Sequence, residues 1–219
     1  MGFNAVIFDL DGTLLDTLQD IVQTLNTVLA RRNFPVHTMD ECRFLVGHGL
    51  RELVRKALPE NEATAATIDE VLADLVEVYN ANWNVHSRPY PGVPELLDRL
   101  TSLGVKKAIL SNKAHHFTLL CAEKLLGNWT FDTVLGYRDG MEPKPDPQGA
   151  ISVAALLNEN PADILYVGDS GIDMLTAARA GMYGLGVLWG FRPESELVSH
   201  GAKSLVSRPE EIIRFFEAS

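Results

Sequence analysis

Two carboxylates, two residues apart, follow the apolar run Ala5-Val6-Ile7-Phe8 and lead into a glycine: Asp9-Leu10-Asp11-Gly12-Thr13. On an extended chain residues i and i+2 project to one side, so Asp9 and Asp11 can face a single reacting centre. Gly12 permits the tight turn that must follow. Three further groups sit beside or after apolar runs. Ser111, Asn112 and Lys113 follow Ala108-Ile109-Leu110. Lys144 lies among prolines in Pro143-Lys144-Pro145-Asp146-Pro147, which stiffen the loop and aim its side chain. Gly168-Asp169-Ser170-Gly171-Ile172-Asp173 follows Ile164–Val167. Open parallel sheets bind ligands at the carboxyl ends of their strands, and all of these groups fall at that edge.

The charges then select the chemistry. Asp9, Asp11, Asp169 and Asp173 in one crevice repel by about 4 kcal/mol for each pair near 4 Å at an effective dielectric of about 20. Lys144 alone does not offset this. Either some carboxyls are protonated or a cation sits among them, and hard oxygen donors with open positions suit Mg²⁺, which bridges to phosphate. The expected substrate is therefore a phosphate ester. Asp9 would attack phosphorus and form an aspartyl-phosphate. Asp11 would give a proton to the leaving alcohol and later take one from water, its protonated form favoured by the neighbouring negative charges. Thr13, Ser111 with Asn112, and backbone N–H groups would hold phosphoryl oxygens, while Lys144 offsets charge on nucleophile and phosphate. Asp169 is the best side-chain metal ligand after Asp9, and Asp173 would orient metal-bound water. Ser111 also suits a helix N-cap, and Asp173 a first-turn acid.

These groups need a sheet to position them. Short apolar runs at Ala5–Phe8, Lys107–Leu110, Thr133–Leu135, Ile164–Val167 and Gly184–Leu188 alternate with helical patterns at Val93–Leu103, His115–Leu126, Pro147–Leu157, Ile172–Ala180 and Pro209–Phe216. This is the pattern of a Rossmann-like α/β core, a parallel sheet with helices on both faces. From about Thr17 to Trp83 the rhythm changes to helices alone. Leu18, Ile21, Leu25, Val28 and Leu29 make one apolar stripe, and Ile68, Val71, Leu72, Leu75 and Tyr79 another. Thr17 with Asp20 and Thr38 with Glu41 read as helix starts. The segment is too long for a simple crossover. It reads as a small α-helical domain, residues 16–83, inserted into a core made of residues 1–15 and 84–219. Within the insert, Gly47-His48-Gly49 precedes a helix carrying Arg51, Arg55 and Lys56. Such a loop can bind an anion through backbone N–H groups, and Arg51 can meet a substrate carboxylate. The competing reading, a solvated basic face, is preferred for Arg55 and Lys56.

Composition bounds the rest. Of the residues 46% are apolar and 22% charged, as in ordinary globular proteins. A net charge of −10 argues against nucleic acid, whose phosphates demand clustered Lys and Arg. It does not argue against a small phosphorylated metabolite, because a local cation reverses the field. Cys42 and Cys121 lack metal-ligand spacing and read as buried, reduced thiols. No apolar run approaches a membrane span and the start of the chain lacks a signal-peptide pattern, so a cytoplasmic location is expected.

Motif order and spacing identify a resemblance across essentially the whole chain. Asp9-Leu10-Asp11-Gly12-Thr13, Ser111, Lys144 and Gly168–Asp173 resemble the four motifs of the haloacid dehalogenase superfamily of aspartate-nucleophile phosphohydrolases. The resemblance implies that Asp9 is both nucleophile and Mg²⁺ ligand. It implies that Asp11 adds a backbone carbonyl to the metal and acts as acid and base. It further implies that the helical insert is a type 1 cap closing over the site. Asp11 argues against halide chemistry, since true dehalogenases lack the second aspartate. Asp16-Thr17, Val46–Leu50, Ser111-Asn112-Lys113 and Leu188-Trp189-Gly190-Phe191-Arg192 are most similar to phosphoglycolate phosphatases, although Asp146 stands where His is frequent. The expected activity is Mg²⁺-dependent hydrolysis of a small phosphate monoester, 2-phosphoglycolate first, by a monomer or homodimer. Two rivals remain: a phosphosugar mutase resembling β-phosphoglucomutase, and a signalling switch phosphorylated on aspartate without turnover.

Overall fold

The computed structural model describes residues 2–217. Its core is a six-stranded sheet in the order β5-β4-β1-β6-β7-β8, with every neighbouring pair parallel. The strands are β1 (Ala5–Phe8), β4 (Lys106–Ala114), β5 (Thr133–Tyr137), β6 (Ile164–Gly168), β7 (Tyr183–Val187) and β8 (Ser204–Val206). β1 is central and fully buried, and its side chains alternate between two cores. Val6 and Phe8 join Ile109, Leu165, Val167, Leu185 and Val187 on one face. Ala5 and Ile7 join Ala108, Leu110, Ile164 and Tyr166 on the other. Helices α7 (Gln148–Leu157) and α8 (Gly171–Arg179) cover the second face, and α5 (Val93–Ser102) and α6 (His115–Leu125) cover the first. The sheet grows outward from β1 in both directions, so β1 borders the switch point where a crevice opens at the strand ends.

The insert comprises four helices: α1 (Leu18–Arg31), α2 (Met39–Leu45), α3 (Leu50–Ala57) and α4 (Ala65–Asn82). Its expected stripes are its core, with Leu25, Val28, Leu29, Val71, Leu75 and Tyr79 buried where α1 meets α4. The chain enters and leaves beside itself. β2 (Leu15–Asp16) pairs antiparallel with β3 (Arg88–Pro89), so both crossings are tied at one place. Thr38 and Glu41 form a reciprocal capping box on α2, as their spacing predicts.

Several elements differ from the sequence pattern. β4 runs on through Ser111, Asn112 and Lys113 to Ala114, with an irregularity in its pairing after Ser111. Those residues therefore sit in the strand's last turn of pleat and not in a loop beyond it. Thr17 precedes α1 but makes no side-chain cap; its hydroxyl bonds Asp11 instead. Asp20 accepts from the N–H groups of His86 and Ser87 and from Ser87 Oγ, fastening the exit from the insert. The segment Pro209–Phe215 is a 3-10 turn in place of the expected helix. β2, β3, β8 and α9 (Glu194–Ser199) are too short to leave a periodic signal.

Candidate active site

The carboxyl ends of β1, β4 and β6 bring together Asp9, Ser111 and Asp169, and Lys144 reaches in from the loop before α7. Lys144 Nζ lies 2.8 Å from Asp9 Oδ1 and 2.7 Å from Asp173 Oδ1, and donates to the Leu110 carbonyl at 3.2 Å. Its backbone is clamped as well. Asn112 Nδ2 donates to the Lys144 carbonyl at 3.0 Å, and Lys144 N donates to Asn112 Oδ1 at 2.8 Å. Burial opposes the charge on this ammonium, but Asp173 and Asp9 beside it hold it well above the usual lysine range. Asn112 is thus a brace for the lysine loop. It also lines the cavity, where it is expected among the phosphoryl-binding groups.

Asp9, Asp169 and Asp173 place carboxylate oxygens within 4.8 Å of one another. Burial, opposed by Lys144 and reinforced by the charge on Asp173, pushes Asp9 up to about 7. Burial, then the charges of Asp173 and Asp9, hold Asp169 well above the ordinary carboxylate range. Three buried carboxylates facing one lysine carry an excess of negative charge, and all their donors are hard oxygens. That set fits a divalent cation such as Mg²⁺. Asp169 accepts from Phe191 N at Oδ2, at 2.7 Å, and only from Thr13 Oγ1, at 3.4 Å, at Oδ1, which leaves Oδ1 the freer oxygen. Asp173 already accepts from Lys144 at one oxygen and from Ser170 Oγ, at 2.6 Å, at the other. Asp173 also closes a capping box with Ser170 at the start of α8, so its role as a first-turn acid and its place in the cluster coexist.

Asp11 is placed differently from its partner in the motif. Lys113 Nζ sits 3.0 Å from its Oδ1 and 3.2 Å from its Oδ2, and Thr17 Oγ1 donates to Oδ1 at 2.6 Å. The nearest charge is a buried ammonium, where the sequence suggested only other carboxylates. Those donors suit the carboxylate form. Among side-chain oxygens the metal cluster does not include Asp11. Lys113 also donates to Tyr79 Oη of α4 at 2.8 Å. Burial opposes its charge, while Asp11 and Tyr79 hold it well above the lysine range. The sequence places Lys113 at the strand edge beside Ser111 and Asn112 without a role of its own; its position two residues from Ser111 on the same strand is the signal for one.

Backbone close approach completes the site. Gly12 has φ +89°, and a Cβ there would collide with the Asp169 carboxylate. Gly190 is as tightly held, against Asp169 and the Gly12 carbonyl. Thr13 is buried, with Oγ1 3.4 Å from Asp169 Oδ1, and its carbonyl accepts from Trp189 Nε1 at 3.0 Å. Phe191 N donates to Asp169 Oδ2 at 2.7 Å.

The insert roofs this edge. A cavity of about 50 Å³ is lined by Asp9, Ser111, Lys144 and Asp169 below and by Ile21, Val46, Gly47, Gly49, Leu50 and Leu53 above. His48 and Arg51 line an adjoining cleft of about 740 Å³ that shares Gly49, Leu50 and Asn112 with it. Arg51 is 57% exposed and paired with Asp69, and Arg55 is paired with Glu52. Of the insert residues expected to touch substrate, Gly47 lines the cavity over Asp9, and His48 and Arg51 line the adjoining cleft. The basic residues of α3 form ion pairs with neighbouring acids because those acids lie one turn along the same helix or on adjacent α4.

Comparison with known proteins agrees with this geometry. The family model for haloacid dehalogenase-like hydrolases matches residues 6–187. The phosphoglycolate phosphatase of Xylella fastidiosa is 34% identical over 212 residues, 95% of this chain and 91% of that protein. The phosphoglycolate phosphatase of Aquifex aeolicus is 30% identical over 216 residues, 97% and 96% of the two chains. A crystal structure from Lactobacillus delbrueckii subsp. bulgaricus, 28% identical, superposes with a TM-score of 0.93 over 100% of both chains.

Proposed function

This chain belongs to the haloacid dehalogenase-like hydrolases, and from that premise we propose that it is a Mg²⁺-dependent phosphatase of small phosphate monoesters, with 2-phosphoglycolate the leading substrate. The carrying observation is the buried Asp9 carboxylate, 2.8 Å from Lys144 Nζ and grouped with Asp169 and Asp173 under an apolar roof. The substrate follows from the names of the two curated relatives and from the small cavity.

Asp9 attacks phosphorus, the ester oxygen leaves, and an aspartyl-phosphate forms; water then attacks that phosphorus and frees phosphate and Asp9. Lys144 neutralises charge on Asp9 in the free enzyme and on the phosphoryl oxygens as it transfers. Ser111 and Thr13 supply hydroxyls at the same edge. A Mg²⁺ held by Asp9 and Asp169, with the Asp11 carbonyl and Asp173 nearby, would shield the charges of nucleophile and phosphate from one another. Asp11, held by Lys113 and Thr17, is placed to take the proton of the attacking water. It serves the leaving oxygen first with the proton it took from water in the preceding turnover. The insert, residues 16–83, acts as a cap that excludes water during transfer and opens for release.

A steady-state screen tests this reading. Phosphate release is measured with and without Mg²⁺ from phosphoglycolate, pyrophosphate, nucleoside monophosphates and sugar phosphates. Mg²⁺-dependent release, fastest from phosphoglycolate and undetectable in Asp9→Asn, is expected. Release by Asp9→Asn at near the normal rate, or an isomerised sugar phosphate in place of free phosphate, overturns it.

A further inference from the structure

The segment Trp189-Gly190-Phe191-Arg192 has been given no part in the chemistry above, yet Phe191 and Arg192 line the cavity and the segment reaches from the core to the insert. Trp189 donates to the carbonyl of Thr13, Phe191 N donates to Asp169, and Arg192 reaches across to the insert. The guanidinium of Arg192 donates to the carbonyls of Arg43, of Phe44 at 3.2 Å and of Val46 at 2.7 Å. These are carbonyls at the end of α2 that have no partner within the helix. A cation there also meets the negative end of the helix dipole. The guanidinium lies over the Phe44 ring, 5.4 Å from its centre, and its side chain is only 6% exposed. On the core side Glu196 Oε1 is 3.4 Å from Arg192 Nε and also accepts from Gly171 N at 3.0 Å, at the start of the helix that carries Asp173.

We infer that Arg192 is a positioning residue that latches the cap onto the core, and that its loop ties cap closure to the setting of Asp169. The inference rests on the reading of the insert as a cap over a phosphatase site. It adds which core residue recognises the closed cap. Arg192 fits this part because its hydrogen bonds to the insert are all to backbone carbonyls. Opening the cap strips a buried cation of its helix carbonyls, and hydrogen bonds to charged groups are the strong ones. The neighbouring tie from Asn112 Nδ2 to the Gly47 carbonyl, 2.9 Å, is neutral and weaker.

Hydrogen exchange and steady-state kinetics on the full chain test the latch together, using Arg192→Ala and the milder Arg192→Lys. Exchange needs no catalysis. In Arg192→Ala, peptides covering residues 39–49 and 189–192 should exchange about tenfold to a hundredfold faster than in the parent, with Arg192→Lys between the two and the β1 and β6 peptides unchanged. With phosphoglycolate and Mg²⁺, KM should rise by a similar factor while kcat falls less, since closure adds to apparent affinity. A merely structural lesion lowers kcat by removing active enzyme and leaves KM alone. Unchanged exchange at 39–49, or a fall in kcat at constant KM in Arg192→Lys, overturns the latch. A parent enzyme that releases no phosphate overturns the phosphatase reading instead, while the exchange measurement still decides the latch.

Discussion

The sheet edge and the basic face of the insert use the same residue types to opposite effect. At the edge, Lys144 and Lys113 are each 4% exposed, and each is held by anionic or polar partners within about 3 Å. On the insert, Arg51 and Arg55 are 57% and 53% exposed, each paired with a surface acid. Desolvation makes the difference. Removing one member of a buried pair leaves an uncompensated charge and costs about 3–5 kcal/mol, whereas an exposed pair contributes about 0–1 kcal/mol. The edge is a site in which charge is fixed in advance; the exposed face of α3 is a solvated surface, and the insert meets the cavity with Ile21, Val46, Leu50 and Leu53 instead. On the proposed function, chemistry belongs to the edge, and the apolar side of the insert over the cavity bounds what can enter.

That contrast predicts a graded series of losses. Lys144→Met removes the ammonium from Asp9 and Asp173, and kcat should fall by about 10²–10³-fold, with thermal stability falling as well; steady-state rates and a melting curve check both. Asp169→Asn keeps the shape but weakens the carboxylate cluster. The Mg²⁺ concentration for half-maximal activity should rise by roughly 10–100-fold, and an unchanged requirement would move the metal elsewhere.

A subtler effect lies in the pH dependence of metal stabilisation. Burial pushes Asp9 up to about 7 from 3.8 in the metal-free protein. Between those values the unfolded chain has lost this proton and the folded chain keeps it, so the unfolded state binds fewer protons and stability falls as pH rises. A cation that takes the carboxylate removes that loss. The rise in Tm on adding Mg²⁺ should be small at pH 5 and largest at pH 8; equal rises at both would break the link between the metal and this carboxylate. The smallest effect belongs to the insert. Arg51→Ala should change kcat/KM less than about twofold and stability by about 0–1 kcal/mol. A large loss in KM would put Arg51 at the substrate and blur the contrast.

Much of the edge was legible because it obeys short-range rules. The apolar run of β1 put Asp9 at its carboxyl end, the alternation of apolar runs and helices gave a parallel sheet, and the prolines flagged Lys144. What stayed hidden depends on contacts across the chain. Thr17 has the residue type of an N-cap, but a carboxylate six residues back takes its hydroxyl. Lys113 resembles any lysine near a strand end until the fold sets Asp11 and Tyr79 around it. Arg51 has the type and spacing of an anion ligand, yet Asp69 of α4 lies closer than the cavity. Arg192 lies within a motif whose importance was visible, while its partners, backbone carbonyls 146 to 149 residues away, carry no side-chain signal.

The central claim is that Asp9 carries the phosphoryl group, and acid quenching during turnover tests it most directly. Enzyme mixed with phosphoglycolate and Mg²⁺ is quenched within the first turnovers, digested in acid and read by mass spectrometry. The account predicts a phosphoryl adduct on Asp9 in the parent and none in Asp9→Asn. An adduct on another residue, or phosphate release by Asp9→Asn at the parent rate, would contradict it.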